Sequence, residues 1–333
     1  MKDLTPIVVS QGDVAGVGWE LLLSLLQKKK IPPEICNRLI VVGDSFTRDK
    51  NLSKLFSVEE YSEQFVPNIQ KSKKPKFLYL NTNSAYEPGK PSAALALRSY
   101  AAFQKSIKLW QNLDDAALVT LPVSKEYIRK AGVQFAGHTE VLQAAYNTTT
   151  HMCMYHKTLS VMLLTNHVPL AKVTRVLPSV NADALASSIS FFRALFAPQR
   201  PFVMAGVNPH AGENGTLGTE ESILREIIAT METKGVNVSG PLPADGIFTK
   251  LSRKNYSLVL AVYHDQGLIP FKALYGYKGL NITLGLPKLR VSPDHGTGYG
   301  IAGKAEADDT GILESILFAA KWSKKWTSVY SSL

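Results

Sequence analysis

Short apolar runs alternate with amphipathic stretches along most of this chain. Residues 6–10, 39–42, 77–80, 116–121, 202–207 and 258–262 are almost wholly apolar and read as buried strands. Between them, leucines at positions 21, 22, 23, 25 and 26 mark a first helix. A long helix is predicted from Gly89-Lys90-Pro91-Ser92 to Trp110, with Pro91 suited to its first turn. Further helices are predicted over about 182–196, 219–230 and 308–322, and a short one after Gly137-His138-Thr139-Glu140. Thr139 suits the cap of that short helix, and its N-terminus suits an anion. Residues 152–155 and 160–164 flank Lys157-Thr158 and predict a hairpin, and 282–286 predicts another short strand. The lysine-rich stretch 51–76 reads as a surface excursion, 241–245 as a turn, and 294–303, rich in glycine, as a loop. Alternation of this kind predicts an α/β protein with a largely parallel sheet. The 333 residues suffice for two domains, and without a long linker or repeat the two are expected to be interleaved.

Composition narrows the class. No apolar run approaches the roughly twenty residues of a membrane span. The start, Met-Lys-Asp-Leu-Thr-Pro, has no apolar signal core, and two cysteines make no disulfide framework, so the cytoplasm is the expected compartment. The formal charge of +10 is spread over short lysine clusters rather than a stripe. That pattern argues against nucleic acid and suits anionic small molecules.

The polar chemistry concentrates between residues 261 and 304. This stretch holds His264, His295, Asp265, Asp294, Lys272, Arg290 and a cluster of glycines, with His264-Asp265 just past an apolar run. Loops at strand ends are where α/β proteins build sites. Three of the seven histidines, His167, His210 and His264, follow apolar strand candidates. Three neutral imidazoles can hold a divalent ion with a position open to substrate. The rival set His151, Cys153 and His156 alternates along a strand, so His151 and Cys153 share a face that His156 does not. It reads as ordinary hairpin sequence. Met152, Met154 and Met162 read as core filling.

Six motifs occur in order. They are Gly12-Asp13-x-Ala15-Gly16-x-Gly18-x-Glu20, Gly137-His138-Thr139-Glu140, Asn208-Pro209-His210-Ala211-Gly212-Glu213, Gly240-Pro241-Leu242-Pro243-Ala244-Asp245, Tyr263-His264-Asp265-Gln266-Gly267, and Asp294-His295-Gly296-Thr297 with Ile301-Ala302-Gly303-Lys304. Together, over nearly the whole chain, they resemble the 4-hydroxythreonine-4-phosphate dehydrogenase family of pyridoxal 5′-phosphate biosynthesis. The resemblance implies an isocitrate/isopropylmalate-dehydrogenase-like α/β fold with two interleaved domains and a cleft between them. Residues 1–140 with 268–333 would form the cofactor side, and 141–267 the metal and dimer side. It implies a homodimer whose subunits share each active site. The metal ligands fall on His167, His210 and His264, with zinc the expected ion and cobalt or magnesium the alternatives. Substrate contacts fall on His138, Thr139, Lys272, Asn281 and Arg290. Cofactor contacts, for NAD with NADP as the alternative, fall on Gly12, Asp13, Asp294, His295, Gly296, Thr297 and Gly303. The chain departs from the family pattern at Val14 and Trp19, where prolines are usual, and at Ser124, where histidine is usual. It also reads Gly298-Tyr299-Gly300 where Ala-Phe-Asp is usual.

The implied reaction is the NAD- and metal-dependent oxidation of 4-phosphohydroxy-L-threonine to 2-amino-3-oxo-4-phosphooxybutanoate, which decarboxylates to 3-amino-2-oxopropyl phosphate. Lys272 and Arg290 suit phosphate or carboxylate. Asp245 and Asp265 are candidates either for proton transfer or for orienting the histidines. A dehydrogenase of D-erythronate or D-threonate 4-phosphate is the alternative. A phosphate acyltransferase, without the histidine site, and a binding protein without hydride transfer are the rivals from other classes.

Overall fold

A computed structural model of the chain describes residues 5–45, 52–65, 73–81 and 85–333. The chain divides into two compact units, 1–146 with 287–331 and 147–286 with 332–333. In chain order the described strands are β1 (Ile7–Ser10), β2 (Leu39–Gly43), β3 (Ser57–Glu60), β4 (Lys76–Tyr79), β5 (Ala117–Thr120), β6 (His151–Tyr155), β7 (Ser160–Leu163), β8 (Phe202–Ala205), β9 (Val238–Leu242), β10 (Leu258–Ala261), β11 (Leu280–Leu284) and β12 (Arg290–Pro293).

In the first unit the strands lie in the order β3-β4-β2-β1-β5-β12, every described pair parallel. β1 and β5 are buried at every residue, as parallel strands covered on both faces must be. The helix Ala93–Asn112 packs on β1, β2 and β5. Its cap is Ser92, whose hydroxyl accepts from the Leu95 amide, so Pro91 lies before the helix rather than in its first turn. Arg38 is buried and donates to the carbonyls of Thr5 and Ala320, which ties the helix Thr310–Ser332 to the start of the sheet. That helix runs ten residues beyond its expected end at 322, because Trp326 is still fully buried on it. The stretch 51–76 lies partly outside the described residues. Its described part is no simple excursion: β3 pairs with β4, and Phe56 packs with Trp19 and Phe77 in one aromatic cluster.

In the second unit the order is β11-β6-β7-β10-β8-β9. The hairpin β6–β7 and the pair β6–β11 are antiparallel, whereas β7, β10, β8 and β9 run parallel. Met154, Val161, Val203 and Val259 are fully buried in one cluster with Leu268 and Phe271 of the helix His264–Tyr275. Residues 268–286, assigned by the sequence to the first domain, stay with this unit, since the helix His264–Tyr275 packs on β7 and β10. The single helical turn Ala244–Ile247 keeps part of the turn expected over 241–245, but β9 takes in Pro241 and Leu242. β9 carries Pro241 at the edge of the sheet, where a missing amide costs no ladder bond.

Candidate active site

Parallel strands end on one edge, so the segments leaving β7, β8, β9 and β10 share an edge of the second unit. Those segments carry His167, His210, Asp245 and His264 with Asp265. His264 and Asp265 are not in a loop, as their sequence suggested, but open the helix His264–Tyr275. The ring centres of His167 and His264 are 5.9 Å apart. Two imidazoles bound to one zinc at about 2.0–2.1 Å hold their ring centres roughly 5–6 Å apart, so this pair fits a shared divalent ion. Nδ1 of His264 lies 2.7 Å from Oδ1 of Asp265, which turns Nε2 outward as a ligand nitrogen.

His210 does not join them as expected. Among the described residues no three His, Cys, Asp or Glu side chains form a metal-holding group. His210 is exposed on the turn Pro209–Gly215, where φ is positive from His210 to Asn214. Left-handed backbone at four non-glycine residues costs roughly 1–2 kcal/mol each and persists only where the surroundings hold it. The holder is Glu221. It is buried and accepts from the amides of Val207 (3.0 Å) and Asn208 (2.8 Å) and from the Asn208 side chain (2.9 Å). Gln266 braces the same edge, accepting from the Val262 amide and donating to the Gly206 carbonyl, each at 2.7 Å.

The first unit gathers a second cluster. Arg290 is not past a strand end: it begins β12, is 2% exposed, and donates from Nη2 to Oγ1 of Thr120 at 2.7 Å. Burial pulls its pKa down to about 10, while Glu140 opposes the shift. His138 is the first residue of the helix His138–Tyr146, and Thr139, buried, lies inside that helix rather than capping it. The His138 ring stands edge-on to Phe103 (4.5 Å) and Phe135 (5.9 Å). Burial, then the charges of Arg290 and Lys125, hold its pKa well below the ordinary histidine value. Its Nε2 is buried and has no hydrogen-bond partner among the described residues. Lys125 and Glu140 face each other electrostatically beside Gly137. Sequence reasoning gave neither a role, although both lie within segments it had singled out. Of the other substrate candidates, Lys272 is exposed in the last turn of the helix His264–Tyr275 and Asn281 lies in β11, both in the second unit.

The cofactor candidates also come together in the first unit. Gly12 and Asp13 leave β1, and 294–297 leave β12. Gly12 has φ +71, and a Cβ there would stand 2.7 Å from the Pro122 carbonyl oxygen, so only glycine fits. The Val17 amide donates to the Thr297 carbonyl (2.8 Å), and the Gly303 amide to Oε2 of Glu20 (2.6 Å). Tyr299 donates to Oδ2 of Asp13 at 2.6 Å. Burial raises the Asp13 pKa against these hydrogen bonds. His295 has Nδ1 3.0 Å from the Gly296 carbonyl oxygen. The rival set is ordinary structure. His151 bonds Ser188 (2.9 Å), burial pushes the Cys153 thiol up, and His156 stacks on Tyr275 at 3.9 Å.

Residues 34–319 match the family described as pyridoxal phosphate biosynthetic protein PdxA. The chain belongs to this family. Its expected α/β, isocitrate/isopropylmalate-dehydrogenase-like fold class stands, and the chain is an oxidoreductase. The D-threonate 4-phosphate dehydrogenase of Bordetella bronchiseptica is 32% identical, across 99% of this chain and 97% of that protein. The 4-hydroxythreonine-4-phosphate dehydrogenase of Maricaulis maris is 33% identical, across 96% and 98%. Among solved structures, the 4-hydroxythreonine-4-phosphate dehydrogenase of Klebsiella pneumoniae superposes with a TM-score of 0.74 at 30% identity, covering 96% of this chain and 99% of that one. Among the described residues no helix is long and apolar enough to cross a membrane.

Proposed function

We propose that this PdxA-family chain oxidises the C3 alcohol of 4-phosphohydroxy-L-threonine with NAD, as a step of pyridoxal 5′-phosphate biosynthesis in the cytoplasm. The first product is 2-amino-3-oxo-4-phosphooxybutanoate, a β-keto acid that loses CO2 to leave 3-amino-2-oxopropyl phosphate. The observation that carries this reading is the electrostatic cluster of buried Arg290 with half-buried His138 and Lys125 in the first unit. A buried guanidinium, a half-buried ammonium and an imidazole nitrogen with no hydrogen-bond partner among the described residues suit a phosphate ester. His138, Thr139 and Arg290 bind the phosphate, and Lys272 and Asn281 are assigned to the remaining polar groups.

His167 and His264 hold the divalent ion, zinc first; His210, which stands apart from them in this structure, is proposed to complete the site when the ion binds. Such an ion would supply Lewis-acid polarisation of the alcohol oxygen on the carbon being oxidised. The nicotinamide supplies the hydride acceptor, and Gly12, Asp13, Asp294, His295, Gly296, Thr297 and Gly303 are assigned to it. Asp265 orients the His264 ring. That leaves Asp245, exposed on the same edge, as the carboxylate that takes the alcohol proton.

A second reading is favoured by the Bordetella relative named for D-threonate 4-phosphate. That compound shares the carbon skeleton and the C3 alcohol and differs at C2, where a hydroxyl replaces the amino group. NAD reduction is therefore compared for 4-phosphohydroxy-L-threonine, D-threonate 4-phosphate and D-erythronate 4-phosphate after zinc reconstitution. The first is expected to give the highest kcat/KM. Arg290→Ala is expected to lower that value at least about tenfold, by losing charge-assisted hydrogen bonds. A preference for either sugar-acid phosphate transfers the assignment to the second reading.

A further inference from the structure

The Tyr299 hydroxyl is a junction of three strand ends in the first unit. It donates to Oδ2 of Asp13, which follows β1, at 2.6 Å. It also hydrogen-bonds the side chains of Ser124, which follows β5, and Thr297, which follows β12. Asp13 is 1% exposed, and its other oxygen accepts from the Ala15 amide at 3.0 Å, so the carboxylate is held at both ends. The Tyr299 ring stands edge-on to Tyr127 at 6.2 Å, in the helix that Ser124 caps. The glycine-rich segment 294–303 has turn bonds from the Ile301 amide to Gly298 and the Ala302 amide to Tyr299, while Gly296 and Gly300 have open space where a side chain would be. Its main ties to the turn after β1 are this hydroxyl and the Val17 and Gly303 amides.

Positions 124 and 299 are two of the places where the chain departs from the family pattern, and here they touch. Phenylalanine at 299 offers Asp13 no donor, and a histidine at 124, beside the place of the Tyr299 hydroxyl, carries ring N–H donors. We propose that Tyr299 is a positioning residue that latches the 294–303 loop to Asp13, and that it replaces, with Ser124 making room, the donor that histidine at 124 supplies in the usual pattern. Its link to cofactor binding rests on the dehydrogenase reading above.

The test has two arms. In the ligand-free protein, Tyr299→Phe is expected to raise amide hydrogen exchange across 296–303 at least about tenfold, and Ser124→His added to it should restore protection. Unchanged exchange in Tyr299→Phe, or no recovery in the double variant, overturns the latch whatever the enzyme does. In the active enzyme, Tyr299→Phe is expected to raise KM for NAD about tenfold while kcat and KM for the phosphorylated substrate stay within about twofold. The double variant should return KM for NAD to within about threefold of the parent. An equal fall in kcat with both substrates unaffected in KM contradicts the positioning role. If the parent reduces neither NAD nor NADP with any of the three phosphates, the dehydrogenase reading fails, and the exchange arm still decides the latch.

Discussion

At the scale of single residues, burial governs the chemistry more than pairing does. His151 shows this outside the candidate site. Burial draws its pKa down to about 4, with Nδ1 satisfied by the Ser188 hydroxyl. Unfolding returns it to the ordinary histidine value near 6.5, so the unfolded chain binds a proton that the folded one refuses. Its contribution is complete above about pH 6.5, shrinks as pH falls, and is lost near pH 4, a span worth on the order of 3 kcal/mol. His138 shifts in the same direction. His151→Asn keeps a group for Ser188 and cannot titrate. In urea unfolding, the stability lost between pH 7 and pH 5 should be smaller in this variant by about 2 kcal/mol. Equal losses would show that His151 is protonated in the folded state.

At the scale of elements, the turn Pro209–Gly215 is the least self-sufficient piece of the site. Its left-handed run depends on the Glu221 carboxylate, which opens the helix Glu221–Thr233. Glu221→Ala removes three acceptor contacts in a buried setting, each worth about 1–3 kcal/mol. It should lower the melting temperature by several degrees. If His210 is a ligand, chelator competition should also show zinc binding weakened by at least about tenfold. Unchanged zinc affinity with lowered stability would remove His210 from the metal site. The apolar runs were legible in the sequence because β1, β2, β5, β8 and β10 are buried at every residue, on both faces. What escaped had weaker signals. β9 carries glycine and proline at a sheet edge. Arg290 looked like a loop cation because β12 reads Arg-Val-Ser-Pro, with one strongly apolar residue and no apolar run. His264 starts a helix without a side-chain cap, so nothing marked the boundary. The histidine pair followed from strand-end placement, but the left-handed turn that sets His210 apart leaves no periodic trace.

At the scale of the whole molecule, the second unit carries several exposed large apolar residues. Leu170, Leu251 and Ile269 are 68, 80 and 67% exposed, and Leu217 is 47% exposed. Apolar groups so exposed suit the interface of the proposed homodimer, which should bury more than about 1,000 Å². Leu251→Asp with Ile269→Asp is expected to give monomers in sedimentation velocity and to abolish activity, because the site is then incomplete. Fully active monomers would rule out a shared site. The central claim, hydride removal from C3 of a phosphorylated hydroxy acid, has one direct measurement. The zinc-reconstituted protein is given NAD and 4-phosphohydroxy-L-threonine deuterated at C3, and the reduced nicotinamide and the released CO2 are analysed. The account predicts deuterium on the nicotinamide ring and one CO2 per turnover. Deuterium retained in the carbon product, or no reduction of NAD or NADP, would contradict it.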